Sequence, residues 1–115
     1  MSNLDDGFNV IYSYSWDDAI ADGTFVRVPD EVSKQLYRYP IAVTRTIWER
    51  FVKGKDINGV LWDILWMMKH EKVQGSHCYF KVKLGRELVD LEAVCEARSP
   101  DNPEPILTIY LPEER

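Results

Sequence analysis

Cysteine and histidine are scarce in this sequence. Its 115 residues hold two of each, Cys78 and Cys95, His70 and His77, and no CxxC. A structural zinc site takes four Cys or His ligands at hairpin-like spacings. These four residues do not make that pattern, so no metal and no cofactor is expected. Long apolar runs are missing too: no window approaches the ~18 uninterrupted apolar residues of a membrane span. The opening MSNLDDGF is acidic and lacks a basic stretch followed by an apolar one, unlike a secretory signal. The expectation is therefore a cytoplasmic chain with both thiols reduced. There is no repeat and no low-complexity stretch. GxSxG, HExxH, P-loop and GxGxxG patterns are all absent, and none of the serines sits in an elbow-like context. No catalytic residue is assigned on these grounds. Excess positive charge is missing as well. A nucleic-acid-binding domain favours a pI above about 9, whereas this chain has a net charge of −5 and a pI near 5.0. Nucleic acid is a disfavoured partner.

What is present fits a globular chain. Hydrophobic residues make up 45% and charged residues 29%. A chain of this length buries about two-thirds of its unfolded surface, enough for one core without staples. One domain over residues 1–115 is expected. The charge is segregated: residues 1–31 sum to −6, residues 32–86 to +7 and residues 87–115 to −6. A basic middle packed beside acidic ends neutralises itself, and such a pattern speaks first to solubility and steering.

Periodicity and punctuation give the elements. NVIYSY at residues 9–14 is β-prone. Ser15 suits an N-cap, Asp17 and Asp18 suit the positive end of a helix, and Gly23 suits its stop. Residues 24–28 read as a strand. Pro29 opens a short helix to about Tyr37, which Arg38-Tyr39-Pro40 breaks. Thr44 can cap a helix running to Lys53, with Ile47, Trp48, Phe51 and Val52 on one face. Asn58 can cap the longest helix, over residues 59–73, whose middle is apolar nearly all round. Such a helix is either buried on most sides or faces a partner. From Phe80 on, apolar residues alternate with polar ones at period two. A turn at Gly85-Arg86 pairs Leu84 with Glu87 and Val82 with Val89, and sets Cys78 opposite Ala93. Residues 96–105 carry three prolines and read as an exposed connector. The fold class is α+β, with helices in the first two-thirds packed on a C-terminal antiparallel three-stranded meander. The helix over residues 59–73 is the expected cover of its apolar face.

The candidate site residues come from the same pass. Trp62 and Trp66 stand one helical turn apart. Such residues are usually core, and an exposed pair marks an interface. Asp63 beside them is the lone charge in its run, and Arg45 or Arg50 of the preceding helix can pair with it. Asp17, Asp18 and Asp22 suit helix capping better than a cation loop. Met67 and Met68 fit a core or an adaptable surface.

The order of the pieces resembles a small domain family found in bacteria, on plasmids and in phages. IYSYSWDDAIADG, YPIAVTRTIWERFV, GVLWDILWM, LVDLEAVC and EPILTIYLPEE stand in this chain. They are similar to the family's IYSYxxxxAIxDG, P(I/V)A(L/V)TRxxW, GxLWDxLWM, LxAVC and EPxxTIxLPEE. The resemblance covers nearly the whole chain. It places the family's polar motif positions on Tyr12, Tyr14, Asp22, Arg45 and Asp63, and implies one intact domain with no assigned activity or catalytic residue. Where members often carry a longer insert, this chain has the short stretch 71–77.

Two functional expectations follow. The first is a non-enzymatic accessory protein of bacterial or mobile-element origin that acts through protein contacts, with a host protein or with a second copy of itself. The second is a small ligand-binding domain or enzyme with a pocket around Tyr12, Arg45, Trp62 and Asp63. Tyr12, Tyr14, Arg45, Trp62, Asp63 and Trp66 are the candidate binding residues.

Overall fold

The computed structural model describes residues 14–115. Tyr12 and nearly all of the strand expected over residues 9–14 lie outside the described residues. The first element is α1 (Trp16–Asp22). Ser15 Oγ accepts from Asp18 N, and the Asp18 carboxylate accepts from Ser15 N in return, a capping box. Gly23 closes the helix at φ +86°, in the left-handed region where a β-carbon is strained. Next come β1 (Phe25–Arg27) and α2 (Asp30–Ser33), a single turn shorter than the helix expected from Pro29.

Strand β2 (Ile41–Thr44) was not foreseen. All four of its residues are buried. A strand covered on both faces shows no alternation, and four residues between Pro40 and a helix cap are too few for a pattern. Thr44 then caps α3 (Arg45–Ile47), as expected, and its Oγ1 accepts from Ile47 N. The chain continues as a π-helical turn over Trp48–Val52, with Lys53 N donating to Trp48 O at 2.8 Å. The long helix α4 (Ile57–Lys69) is capped by Asp56 rather than Asn58, the Asp56 carboxylate accepting from Gly59 N. It ends four residues short of the expected Val73, which is 68% exposed. Beyond Lys69 the next positions of the buried face are the charged Glu71 and Lys72.

Strands β3 (His77–Leu84), β4 (Glu87–Ser99) and β5 (Asn102–Tyr110) follow, then a 3-10 turn at Pro112–Glu114. The expected register holds: Val82 pairs with Val89, Leu84 with Glu87 and Cys78 with Ala93. The three strands form the expected antiparallel meander, but inside a larger mixed sheet. The order is β1-β2-β5-β4-β3, and β5 runs parallel to β2, Ile41 opposite Leu107. Most of residues 96–105 is strand, not the expected connector. Leu107 N donates sideways to Pro40 O, away from β4. Residue 105 shares that parity, so the missing N–H of Pro105 faces an edge with no neighbour in the register and costs no ladder bond, while Pro103 falls in the register shift between Pro105 and Asn102, where ladder pairing is interrupted.

Successive strand residues point to opposite faces. On one face Phe80, Val82, Leu91 and Ile109 pack with Leu61, Ile64, Leu65 and Met68 of α4 in the main core. The helix over the meander therefore does cover its apolar face. On the other face Trp16, Ala42 and Ile106 form a smaller cluster, flanked by Ile20 and Phe25, so α1 lies on the side away from α4. Among the described residues no helix is long and apolar enough to cross a membrane.

Candidate functional site

The outer side of α4 carries an aromatic column. Burial fixes Leu61, Ile64, Leu65 and Met68 inward, so residues at 62, 66 and 70 share the opposite face at four-residue steps. The Trp62 and Trp66 rings stack at 6.0 Å with 16° between planes, and the His70 ring meets Trp66 edge-on at 4.6 Å. His70 is held there because its Nδ1 donates to Trp66 O at 2.8 Å. Trp62 is half-buried, whereas Trp66 is 44% exposed and Met67 beside it is also exposed.

Asp63 stands next to this column and is exposed. Among the described residues no ion pair joins it to Arg45 or Arg50. Arg45 is committed elsewhere. Its Nε donates to Gly23 O, and its Nη1 lies 3.4 Å from Glu49 Oε2, one helical turn on. Tyr14 reaches the same turn from the other side, its hydroxyl donating to Asp22 Oδ2 at 2.5 Å. That bond raises the Tyr14 pKa and, with a smaller effect from Thr24, lowers that of Asp22. Tyr14, Asp22 and Arg45 thus brace the Gly23 turn at the end of α1.

The structure therefore divides the expected binding residues into two groups. Arg45 lines a shallow depression with Gly23, Thr24 and Tyr110; Trp62 lines another with Glu31, Gln35 and Asn58. Their linings share no residue, so Arg45, Trp62 and Asp63 do not converge on one pocket, and Tyr12 lies outside the described residues. The reason is topological: α3 places Arg45 at its first turn, beside β1, while Trp62 and Asp63 project from the solvent side of α4.

Two polar features escaped the sequence reading. Arg98 donates to both carboxylate oxygens of Asp17, at 2.9 and 2.8 Å, and to Glu104 at 2.7 Å, while its guanidinium lies 5.4 Å over the Trp16 ring. The Arg98 hydrogen bonds hold the Asp17 pKa below the usual carboxylate range. This clamp fastens α1 to the β4–β5 hairpin across 81 residues of sequence. The second feature is Glu92, which falls at a polar position of the period-two alternation yet is only 4% exposed. The C-terminal turn lies against β4; Glu92 Oε2 accepts from His77 Nδ1 at 2.6 Å, with Arg115 Nε at 4.0 Å. The β3–β4 register alone sets Tyr79 opposite Glu92 and puts His77 on its diagonal, so this contact was available as a signal.

The arrangement limits the chemistry. His77 projects with Tyr79 from one face of β3, and Cys78 from the other. Cys95 shares the Cys78 face, so both thiols project from the side of the sheet opposite to the His77 ring. Both cysteines are free. Among the described residues no group of three or more His, Cys, Asp or Glu is placed to hold a metal ion. The chain matches no protein-family model, no curated protein and no solved structure.

Proposed function

We propose that this chain is a non-enzymatic interaction protein that grips a partner protein with the Trp62–Trp66–His70 column of α4. The resemblance of its motifs to a small bacterial and mobile-element domain family points to an accessory role of that origin. The observation that carries the reading is the exposure of Trp66. An indole is ordinarily among the better-buried side chains, and its uncovered surface offers about 2 kcal/mol to whatever covers it. Trp62 and His70 hold the ring in one orientation, so little side-chain entropy is lost on binding. Rigid aromatic anchors of this kind dominate interface energetics. The column repeats every turn along one helix face, which suits a groove or an apposed helix. The reading calls for no cofactor, no membrane and no nucleic acid.

The test uses a photo-crosslinking amino acid at Met67, beside the column, and at Asp101, in the β4–β5 turn, in the source cell. The expected result is one dominant protein adduct from position 67 and none from position 101. With that protein purified, Trp66→Glu weakens the complex by at least about tenfold, or ~1.4 kcal/mol, while far-UV circular dichroism and melting stay unchanged. An adduct with a second copy of this chain assigns the column to self-association. Equal labelling at both positions, or a complex indifferent to Trp66→Glu, overturns the reading.

A further inference from the structure

Helix α4 stops at Lys69, but the inner face of the sheet does not. Strand β4 runs on through Cys95 and β5 passes it at Leu107, opposite Cys95 in the register. This stretch of apolar sheet lies past the helix end. The segment after α2 and the connection from α4 to β3 flank it without filling it, leaving a cavity of about 390 Å³. Its lining includes Tyr37, Tyr39, Met68, Cys78, Cys95 and Leu107.

Several features define what fits there. The volume lies within the ~300–1,000 Å³ of small-molecule sites. The wall is preformed: Tyr37 Oη donates to Leu65 O at 3.3 Å, and Lys69 Nζ, which donates to Leu36 O, sits 5.4 Å from the Tyr37 ring centre. Both cysteines of the chain and the Met68 thioether face one space. Thioether and thiol sulfurs make favourable contacts with aromatic ring edges, and two tyrosine rings add stacking surface. The lining also holds the Lys69 ammonium, the Glu71 carboxylate and His77; Lys69 donates to Leu36 O, the His77 ring is bonded to Glu92, and the opposite charges of Lys69 and Glu71 give no net preference to an anion or a cation. Burial, with a smaller contribution from Glu71, pushes the Cys78 thiol up, so it lines the cavity as a protonated, apolar group.

We infer that this cavity is a binding site for a small uncharged aromatic molecule, held between Tyr37, Tyr39 and the sulfur-rich floor of Met68, Cys78 and Cys95. It is separate from the aromatic column of α4 and does not depend on it.

The probe is N-phenyl-1-naphthylamine, uncharged, aromatic and fluorescent in apolar surroundings. The full chain is expected to bind it saturably with one-to-one stoichiometry. Cys95 is only partly buried, so its alkylation by iodoacetamide is measurable in the unmodified protein. Saturating probe is expected to slow that alkylation by at least about tenfold, since a seated ring covers the thiol. Cys95→Phe, which fills the cavity, is expected to weaken binding by a similar factor, whereas Trp66→Glu leaves it unchanged. An alkylation rate unaffected by saturating probe overturns the inference even if the variant misfolds. Binding lost in Trp66→Glu but kept in Cys95→Phe also overturns it, by moving the probe to α4.

Discussion

On the α4 side of the sheet, Leu61, Ile64 and Leu65 are wholly buried against Phe80, Val82 and Leu91, with no charged side chain among them. On the α1 side, a smaller apolar cluster is surrounded by polar contacts. Trp16 Nε1 donates to the buried Thr108 hydroxyl at 3.1 Å, Arg98 pins Asp17, Thr44 Oγ1 donates to Glu114, and Glu92 is buried against His77. The difference follows from what each face has to cover it. A helix of thirteen residues supplies enough apolar surface to exclude water by area alone. A helix of seven residues cannot, so its attachment uses directional bonds that also set its position.

That contrast can be broken from the apolar side first. Leu65→Ala removes a side chain with no exposed surface from the dry layer and is expected to cost about 3–4 kcal/mol in urea unfolding. An effect below ~1 kcal/mol would mean that α4 is not the main cover. From the polar side, Trp16→Phe keeps an apolar ring but leaves the buried Thr108 hydroxyl without its donor. The expected loss is about 2 kcal/mol, and Thr108→Val in the same background recovers part of it. Gly23→Ala tests the turn that Tyr14 and Arg45 brace. The positive φ and the Arg45 guanidinium, 2.8 Å from where the new β-carbon would stand, point to a loss of about 1–2 kcal/mol. The smallest effect is electrostatic. The Asp17 pKa is lowered on folding, so its contribution is present above the ordinary carboxylate range and is lost as pH falls through the lowered value. Arg98→Met is expected to remove that part of the acid slope. Asp17 is largely exposed, so the slope also shrinks in high salt. An unchanged acid titration in the variant would show that the clamp is positional only.

The aromatic column sharpens the comparison within one helix. Leu65 and Trp66 are adjacent in sequence, yet one is sealed and the other is 44% exposed. Sequence alone left the run over residues 60–68 ambiguous, because an apolar majority on all sides fits both a core helix and an interface helix. The structure resolves it by rotation. The α4 face at 61, 64, 65 and 68 meets the sheet, and Trp66, touched by the Trp62 and His70 rings, keeps 44% of its surface exposed on the other side. The Arg45–Asp63 pairing failed for a related reason: helix periodicity says which residues share a face, not which way that face turns.

Local grammar was legible at several points and missed at others. The Ser15 cap, the Gly23 stop, the Thr44 cap and the register of the β3–β4 hairpin all rest on interactions within a few residues, which composition and spacing encode directly, whereas the cap of α4 falls on Asp56 instead of Asn58. The helical cover of the meander followed from alternation, because an apolar sheet face has to be removed from water. What only the tertiary structure decided spans distance. Strand β2 becomes visible once β5 lies beside it, since a strand buried on both faces carries no period. Arg98 finds Asp17 because the sheet and α1 meet. Glu92 is buried because the C-terminal turn covers it, and the Cys78–Cys95 cavity exists because α4 ends before the sheet does. Short-range hydrogen bonds and periodicity are properties of neighbouring residues, whereas burial and cavities depend on which distant segment arrives to cover them.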